Sequence, residues 1–304
     1  MNAVAAALAP TMLGRVPALS LVLVTACASA PRPATATGAA ARRPLTLTYL
    51  GVAGWQLEAD GHTILTDPYF SRPDLDHPIA SDPAAVAARS PARADLVLVG
   101  HTHVDHALDA AAVAARTGAD VVGSPSTAML ARAGGLPDDR IITVKGGEDL
   151  AFDGFSVRAI PSLHSALDDK HAFGGSFTAT PTLPMPWDAF AEGGTFAYLV
   201  RLGGHEVLVL DTANFIEREL DGLRPDVAII APGLRQEIHD YTCRLLHALG
   251  DPPHVFVTHF DDWRSAPADV APDDDLRAFV AEVQACAPGT DVVIPRHFAP
   301  TLVR

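Results

Sequence analysis

The stretch Gly100-His101-Thr102-His103-Val104-Asp105-His106 places four side chains able to bind a metal ion or a proton within six positions: His101, His103, Asp105 and His106. Imidazole nitrogen suits zinc, and a carboxylate adds the charge that holds a second cation. His101 and His103 are two apart, so in an extended segment they point the same way. The adjacent Asp105 and His106 can serve a neighbouring metal from the turn that follows. Gly100 counts only as backbone space.

The elements that must position this stretch lie on either side of it. Asp95–Val99 is a short apolar run that reads as a buried strand. Ala107–Arg116 is a good helix former closed by Gly118. The four polar residues therefore sit where a strand leaves its sheet and a helix begins, the usual ligand position in an α/β sheet.

Other strands end on residues of the same chemistry. Leu45–Leu50 alternates apolar and polar. Trp55–Ala59 and His62–Thr66 flank Asp60-Gly61 as a hairpin that closes at Asp67-Pro68. A short helix over Pro83–Arg89 has Asp82 as its cap. Asp120–Gly123 and Ile141–Val144 read as strands, with a helix between Ser124-Pro125 and Gly134-Gly135. Phe155–Ile160 delivers His164. The irregular stretch Ser165–Gly194 is long enough to be functional, and reads as a lid or substrate wall in which His171 and Trp187 could touch substrate. A second hairpin, Thr195–Leu202 and His205–Leu210 around Gly203-Gly204, closes at Asp211 as the first closes at Asp67, which suggests two similar halves packed face to face. Val227–Ala231 is a buried strand, Gln236–Leu249 a helix, and Val255–Thr258 a strand that delivers His259. A helix over Asp275–Cys286 and a strand over Val292–Ile294 follow.

Composition narrows the possibilities. The 304 residues are 48% hydrophobic and 19% charged, ordinary for a globular chain with a sizeable core. A formal net charge of -14 argues against nucleic acid bound through a broad basic surface. Phosphate-bearing substrates stay open, because a metal supplies its own positive charge. Arg15 precedes the apolar run Val16–Ala26, too short to span a membrane, and the run ends at Cys27. Residues 1–27 thus resemble a bacterial lipoprotein signal, residues 28–43 a flexible Ala-, Pro- and Thr-rich tether, and residues 44–304 the folded domain. The expectation is an exported protein, lipid-anchored through Cys27 at a cell-envelope membrane. Cys243 and Cys286 remain; export permits a disulfide, but two cysteines in separate expected helices read as two buried thiols. His62, His77, His205, His239, His247 and His254 are expected at the surface.

The HxHxDH pattern, standing here as His101-Thr102-His103-Val104-Asp105-His106, together with the strand-end residues Asp67, His164, Asp211 and His259, resembles the metallo-β-lactamase-fold superfamily of metallohydrolases over about residues 45 to 298. Within it, the chain looks most like the lactonase-like and phosphodiesterase-like branch, which includes ascorbate-6-phosphate lactonases and N-acyl-phosphatidylethanolamine phospholipases D. The resemblance implies an α/β fold, a four-layer αβ/βα sandwich with two metals at one edge. It implies that His101, His103 and His164 hold the first metal, that Asp105, His106 and His259 hold the second, and that Asp211 bridges both. Asp67 would orient a ligand histidine from behind. His171 is the rival to His164, and His297 the rival to His259.

The activity so implied is hydrolysis of an ester, lactone or phosphodiester bond by a metal-bridging hydroxide, with Asp105 orienting it as the catalytic carboxylate. The substrate would be a small molecule or a lipid. A phospholipase D-like phosphodiesterase acting on membrane lipids and a non-catalytic exported metal-binding protein are the competing readings. Diiron oxidoreductases of this fold resemble a pattern with glutamate at the second position, where this chain has His103. That favours two zinc ions, with manganese as the alternative.

Overall fold

A computed structural model describes residues 42–167, 174–269 and 271–303. The expected signal segment with Cys27, residues 28–41 of the tether, and His171 and Phe173 lie outside the described residues. Among the described residues no helix is long and apolar enough to cross a membrane.

The first half of the chain forms β1 (Leu45–Gly51), β2 (Gly54–Ala59), β3 (His62–Thr66), β4 (Leu96–Leu98), β5 (Asp120–Gly123) and β6 (Ile141–Thr143). The second forms β7 (Asp149–Ala151), β8 (Phe155–Pro161), β9 (Phe196–Leu202), β10 (His205–Leu210), β11 (Val227–Ile230), β12 (His254–Val257) and β13 (Asp291–Val293), before β14 (Pro300–Val303) returns to the first sheet. Each sheet has seven strands, ordered β14-β1-β2-β3-β4-β5-β6 and β7-β8-β9-β10-β11-β12-β13. In both, the early strands pair antiparallel through a hairpin, and the later ones add in parallel. The two similar halves expected from the paired hairpins are thus present in the strand order.

Pattern follows position. β1 alternates buried and half-buried residues, as a strand with one wetter face should. The parallel β4 and β11 are buried throughout, because the sheet is covered on both sides. One core cluster lies between the sheets, with Leu47, Trp55 and Ile64 from the first and Tyr198, Val207 and Ile229 from the second. A second packs α1 (Pro83–Arg89), α2 (Val104–Ala107), α3 (Ala110–Thr117) and α4 (Pro125–Ala133) on the outer face of the first sheet. A third packs α5 (Glu217–Leu220), α6 (Tyr241–Ala248) and α7 (Asp274–Cys286) on the second. Three apolar interfaces between four layers make the αβ/βα sandwich.

Several expectations are corrected. The helix after the histidine motif starts inside it, at Val104, and breaks before α3. The helix expected over Gln236–Leu249 is a short 3-10 turn, Arg235–Glu237, followed by α6; between them Asp240 has φ 47° and halts the first turn. Cys243 and Cys286 are not free thiols but a disulfide tying α6 to α7, because helices separate in sequence pack side by side. His205 is not at the surface. Only 1% exposed, its Nδ1 lies 2.6 Å from Asp226 Oδ2 and its Nε2 2.9 Å from the Arg43 carbonyl oxygen, which pins the entry to β1. His62 is half-buried against Phe155.

Candidate metal centre

Residues 99–103 connect β4 to α2, and His103, extended at φ -62° and ψ 158°, is the N-cap of α2. His101 and His103 therefore project from this connection, while Asp105 and His106 project from the first helical turn. His101 Nε2 lies 3.1 Å from His103 Nδ1. The His164 ring, three residues beyond β8, stands 4.7 Å from each of theirs, nearly perpendicular to both. On the other side, Asp105 Oδ2 lies 3.2 Å from His259 Nε2 and 3.7 Å from His106 Nε2. Asp211, at the end of β10, sits between these groups: its Oδ2 is 3.0 Å from His101 Nδ1 and 3.2 Å from His106 Nδ1. Three sets of donor atoms result, each within 4.8 Å: His101, His103 and His164; His101, His106 and Asp211; Asp105, His106 and His259.

These residues fit a divalent cation. Five imidazoles and two carboxylates turn their donor atoms inward, a nitrogen-rich set of the kind that holds zinc. Asp211 is 2% exposed, and its Oδ1 has no hydrogen-bond partner. A buried carboxylate oxygen left so is costly unless a cation meets it. His297, the rival to His259, lies elsewhere, with its Nε2 2.9 Å from Asp261 Oδ2.

Behind the donors stands a layer that aims them. The Gly100 N–H donates to Asp67 Oδ1 at 2.8 Å, and Asp67 Oδ2 lies 3.2 Å from His106 Nδ1. Asp67 thus ties the motif backbone to one of its rings, the placement expected for it. A second support has no signature among the motif residues. His259 has φ 52°, and its N–H donates to the Val52 carbonyl at 2.6 Å. Val52 is itself left-handed, φ 56°, an outlying conformation for a β-branched residue. Asp261 holds it there: Oδ1 accepts from the Val52 N–H at 2.9 Å and from the Tyr49 hydroxyl at 2.5 Å, while Oδ2 faces His297. A candidate donor of the second half is thereby seated on the backbone of the first.

Burial and charge work against each other throughout the cluster. Burial, reinforced by His106, pushes the His101 pKa well down. Burial lowers that of His164 as well. Burial alone would do the same to His106, but Asp105, Asp211 and Asp67 outweigh it and raise it. Burial would raise Asp105 and Asp211, yet the histidines around each hold both below the usual carboxylate range. Asp67, deeper still, is pushed up by burial to about 7.

The donors open into a cavity of about 370 Å³, lined also by Trp187 and Phe190 from the expected wall, Leu234 after β11, and Trp263 and Arg264 after β12. Trp187 is where it was expected. Trp263 and Arg264 follow His259 by only a few positions, and that proximity was the signal available for finding them.

The family description "Beta-lactamase superfamily domain" matches residues 46–230. A UPF0173 metal-dependent hydrolase of Anaeromyxobacter sp. (strain K) is 30% identical over 265 residues, 83% of this chain and 88% of its own. One from Methanopyrus kandleri is 31% identical over 122 residues, 40% of this chain, and the match spans about half (48%) of that relative. Among solved structures, Igni18, a metallo hydrolase from the archaeon Ignicoccus hospitalis, has a similar fold: TM-score 0.58 at 21% identity, covering 86% of this chain and 99% of that one.

Proposed function

The chain belongs to the metallo-β-lactamase superfamily and its UPF0173 relatives and is a metal-dependent hydrolase, and from that premise we propose that it cleaves an ester, lactone or phosphodiester bond with two zinc ions. His101, His103 and His164 would hold one, Asp105, His106 and His259 the other, and Asp211 would stand between them. The observation that carries this reading is Asp211 Oδ2, within 3.2 Å of one histidine from each set. When bound, two such cations bring the pKa of a water towards about 7 and draw charge from the substrate oxygen. Asp105 is the residue placed to orient that water, since its neighbours keep it ionised and therefore an acceptor. Asp67 and the Asp261 network keep His106 and His259 from turning away. The nitrogen-rich donor set supports zinc over manganese.

The test is metal content of the purified protein together with turnover of matched esters, lactones, phosphodiesters and phospholipids. His103→Ala should lose metal and hydrolysis together; a variant that kept both would overturn the assignment. We also propose that the chain is exported and lipid-anchored at Cys27, supported by the Arg15 to Cys27 pattern. Cys27→Ser should move it from the membrane to the soluble fraction, and unchanged fractionation would refute the anchor.

A further inference from the structure

The walls of the cavity say more about the substrate than its floor does. Trp187 and Trp263 are both half-buried, with ring centroids 5.8 Å apart and planes at 48°, so they form a V beside the donor cluster. Phe190, Leu167 and Val104 continue the apolar surface. Leu234 at the lip is 41% exposed and left-handed, φ 63°. Holding a leucine exposed in a strained conformation costs stability and points to a use for it. The hydroxyls of the wall are already matched: the Ser165 and Thr212 hydroxyls bond each other, and the Ser165 N–H donates to Thr212 Oγ1 at 2.9 Å. A sugar or nucleobase seated here would leave its own donors and acceptors unmet, which is a strong penalty. Arg264 is the one Arg or Lys among the described lining residues. Its guanidinium lies 5.0 Å from the Trp263 ring centroid.

We propose that the cavity selects substrates with one compact apolar body, of the size of a phenyl ring or a short alkyl chain, lodged against Trp187 and Trp263, and with a single anionic group turned to Arg264. This rests on the metal-hydrolase reading of the same site. The volume of about 370 Å³ lies at the small end for ligand sites, so the body is small.

Calorimetric binding to the zinc-loaded full chain tests this without turnover. Methylphosphonate, benzylphosphonate and 4-(carboxymethyl)benzylphosphonate share one metal-seeking head. The benzyl compound should bind roughly 10- to 100-fold tighter than the methyl compound, the worth of burying one phenyl group. Trp263→Ala should shrink that ratio to within about threefold, and Trp263→Phe should restore most of it. Trp187→Ala should act in the same direction. Arg264→Ala should weaken the carboxymethyl compound roughly three- to tenfold more than the benzyl compound. Equal binding of the methyl and benzyl compounds, or a ratio unmoved by Trp263→Ala, would overturn the inference and leave the hydrolase reading standing. If no phosphonate binds the loaded protein while the metal is present, the hydrolase reading itself falls, and the inference with it.

Discussion

At Gly100 the backbone passes against Asp211 with no room for a side chain. A Cβ there would stand 2.6 Å from Asp211 Cγ and closer still to Oδ2. Gly100 cannot move aside, since its N–H is held by Asp67 and its carbonyl accepts from the Phe196 N–H at 2.8 Å. Gly100→Ala should therefore push the carboxylate out of the donor set. We expect zinc content to fall sharply while the far-ultraviolet dichroism stays native; a variant that bound zinc like the parent would show that Asp211 is dispensable. The same reasoning reaches the left-handed pair Val52 and His259. Asp261→Ala frees the Val52 N–H and removes the acceptor facing His297. Loss of such an outer partner typically weakens metal binding about 10- to 100-fold. Competition with a chromophoric chelator should show that loss on one of two zinc affinities, with the other unchanged. A uniform loss on both would place Asp261 in the general stability of the fold. The motif histidines were legible in sequence because chemistry and spacing coincide within six positions. Val52 and Asp261 were not, because their role is a backbone conformation that no side-chain pattern encodes.

Elements read well from sequence where an alternating face or a strong turn marks them and poorly where they are short. The antiparallel β1 and β2 alternate over much of their length, β3, β9 and β10 flank the turns at Asp60-Gly61 and Gly203-Gly204, and all five were placed nearly to the residue. β7 and β14 went unseen, since each is an edge strand of only three or four residues, too short for a period to stand out. The α6 and α7 pair shows what pattern cannot carry. Arg235, 3% exposed, meets Glu282 Oε2 at 2.9 Å and Asp275 Oδ1 at 2.8 Å, and the Thr242 hydroxyl donates to Glu282 Oε2 at 2.6 Å. This network and the Cys243–Cys286 disulfide brace the loop that holds Leu234 at the cavity lip. Burial alone would raise the Glu282 pKa, but the Arg235 and Thr242 hydrogen bonds outweigh it and lower it. A carboxylate lowered in the folded state stabilises fully above its unfolded pKa of about 4.5 and loses that contribution as pH falls through the lower folded value. Glu282→Gln should thus melt below the parent at pH 7, and the gap should narrow below pH ~4; a gap constant with pH would deny the ionised form its part. For the disulfide, closing a loop with a sequence separation of 43 is worth about 4 kcal/mol in loop entropy. The double variant Cys243→Ser with Cys286→Ser should melt lower by on the order of 10 °C in scanning calorimetry. An unchanged melting temperature would mean that packing alone holds the pair.

On the scale of the whole molecule, the two sheets repeat one strand order, and the two hairpins end in aspartates at equivalent places, Asp67 after β3 and Asp211 after β10. The equivalents have diverged in task. Asp67 accepts from its own half and holds a ring, whereas Asp211 reaches across to His101 and His106. The candidate donors divide likewise: His101, His103, Asp105 and His106 come from the first half, and His164, Asp211 and His259 from the second. Neither half holds a full set, so a cation bound there would also link the halves. The central core is shared in the same way, with residues of both sheets in one cluster. Two consequences follow for unfolding. First, the halves should not melt separately, and calorimetry should show one transition with matching calorimetric and van't Hoff enthalpies. Second, a ligand that binds only the folded chain adds about 2.7 kcal/mol when present at 100 times its dissociation constant. For a domain of this size that corresponds to roughly 5–10 °C. Zinc at that excess should raise the single transition by that much, and a chelator should reverse it. His164→Ala and His103→Ala, which remove donors of the same set from opposite halves, should diminish the rise equally. A rise diminished by only one of the two substitutions would mean that this cation is held by one half alone, and the joining role assigned to the site would fail.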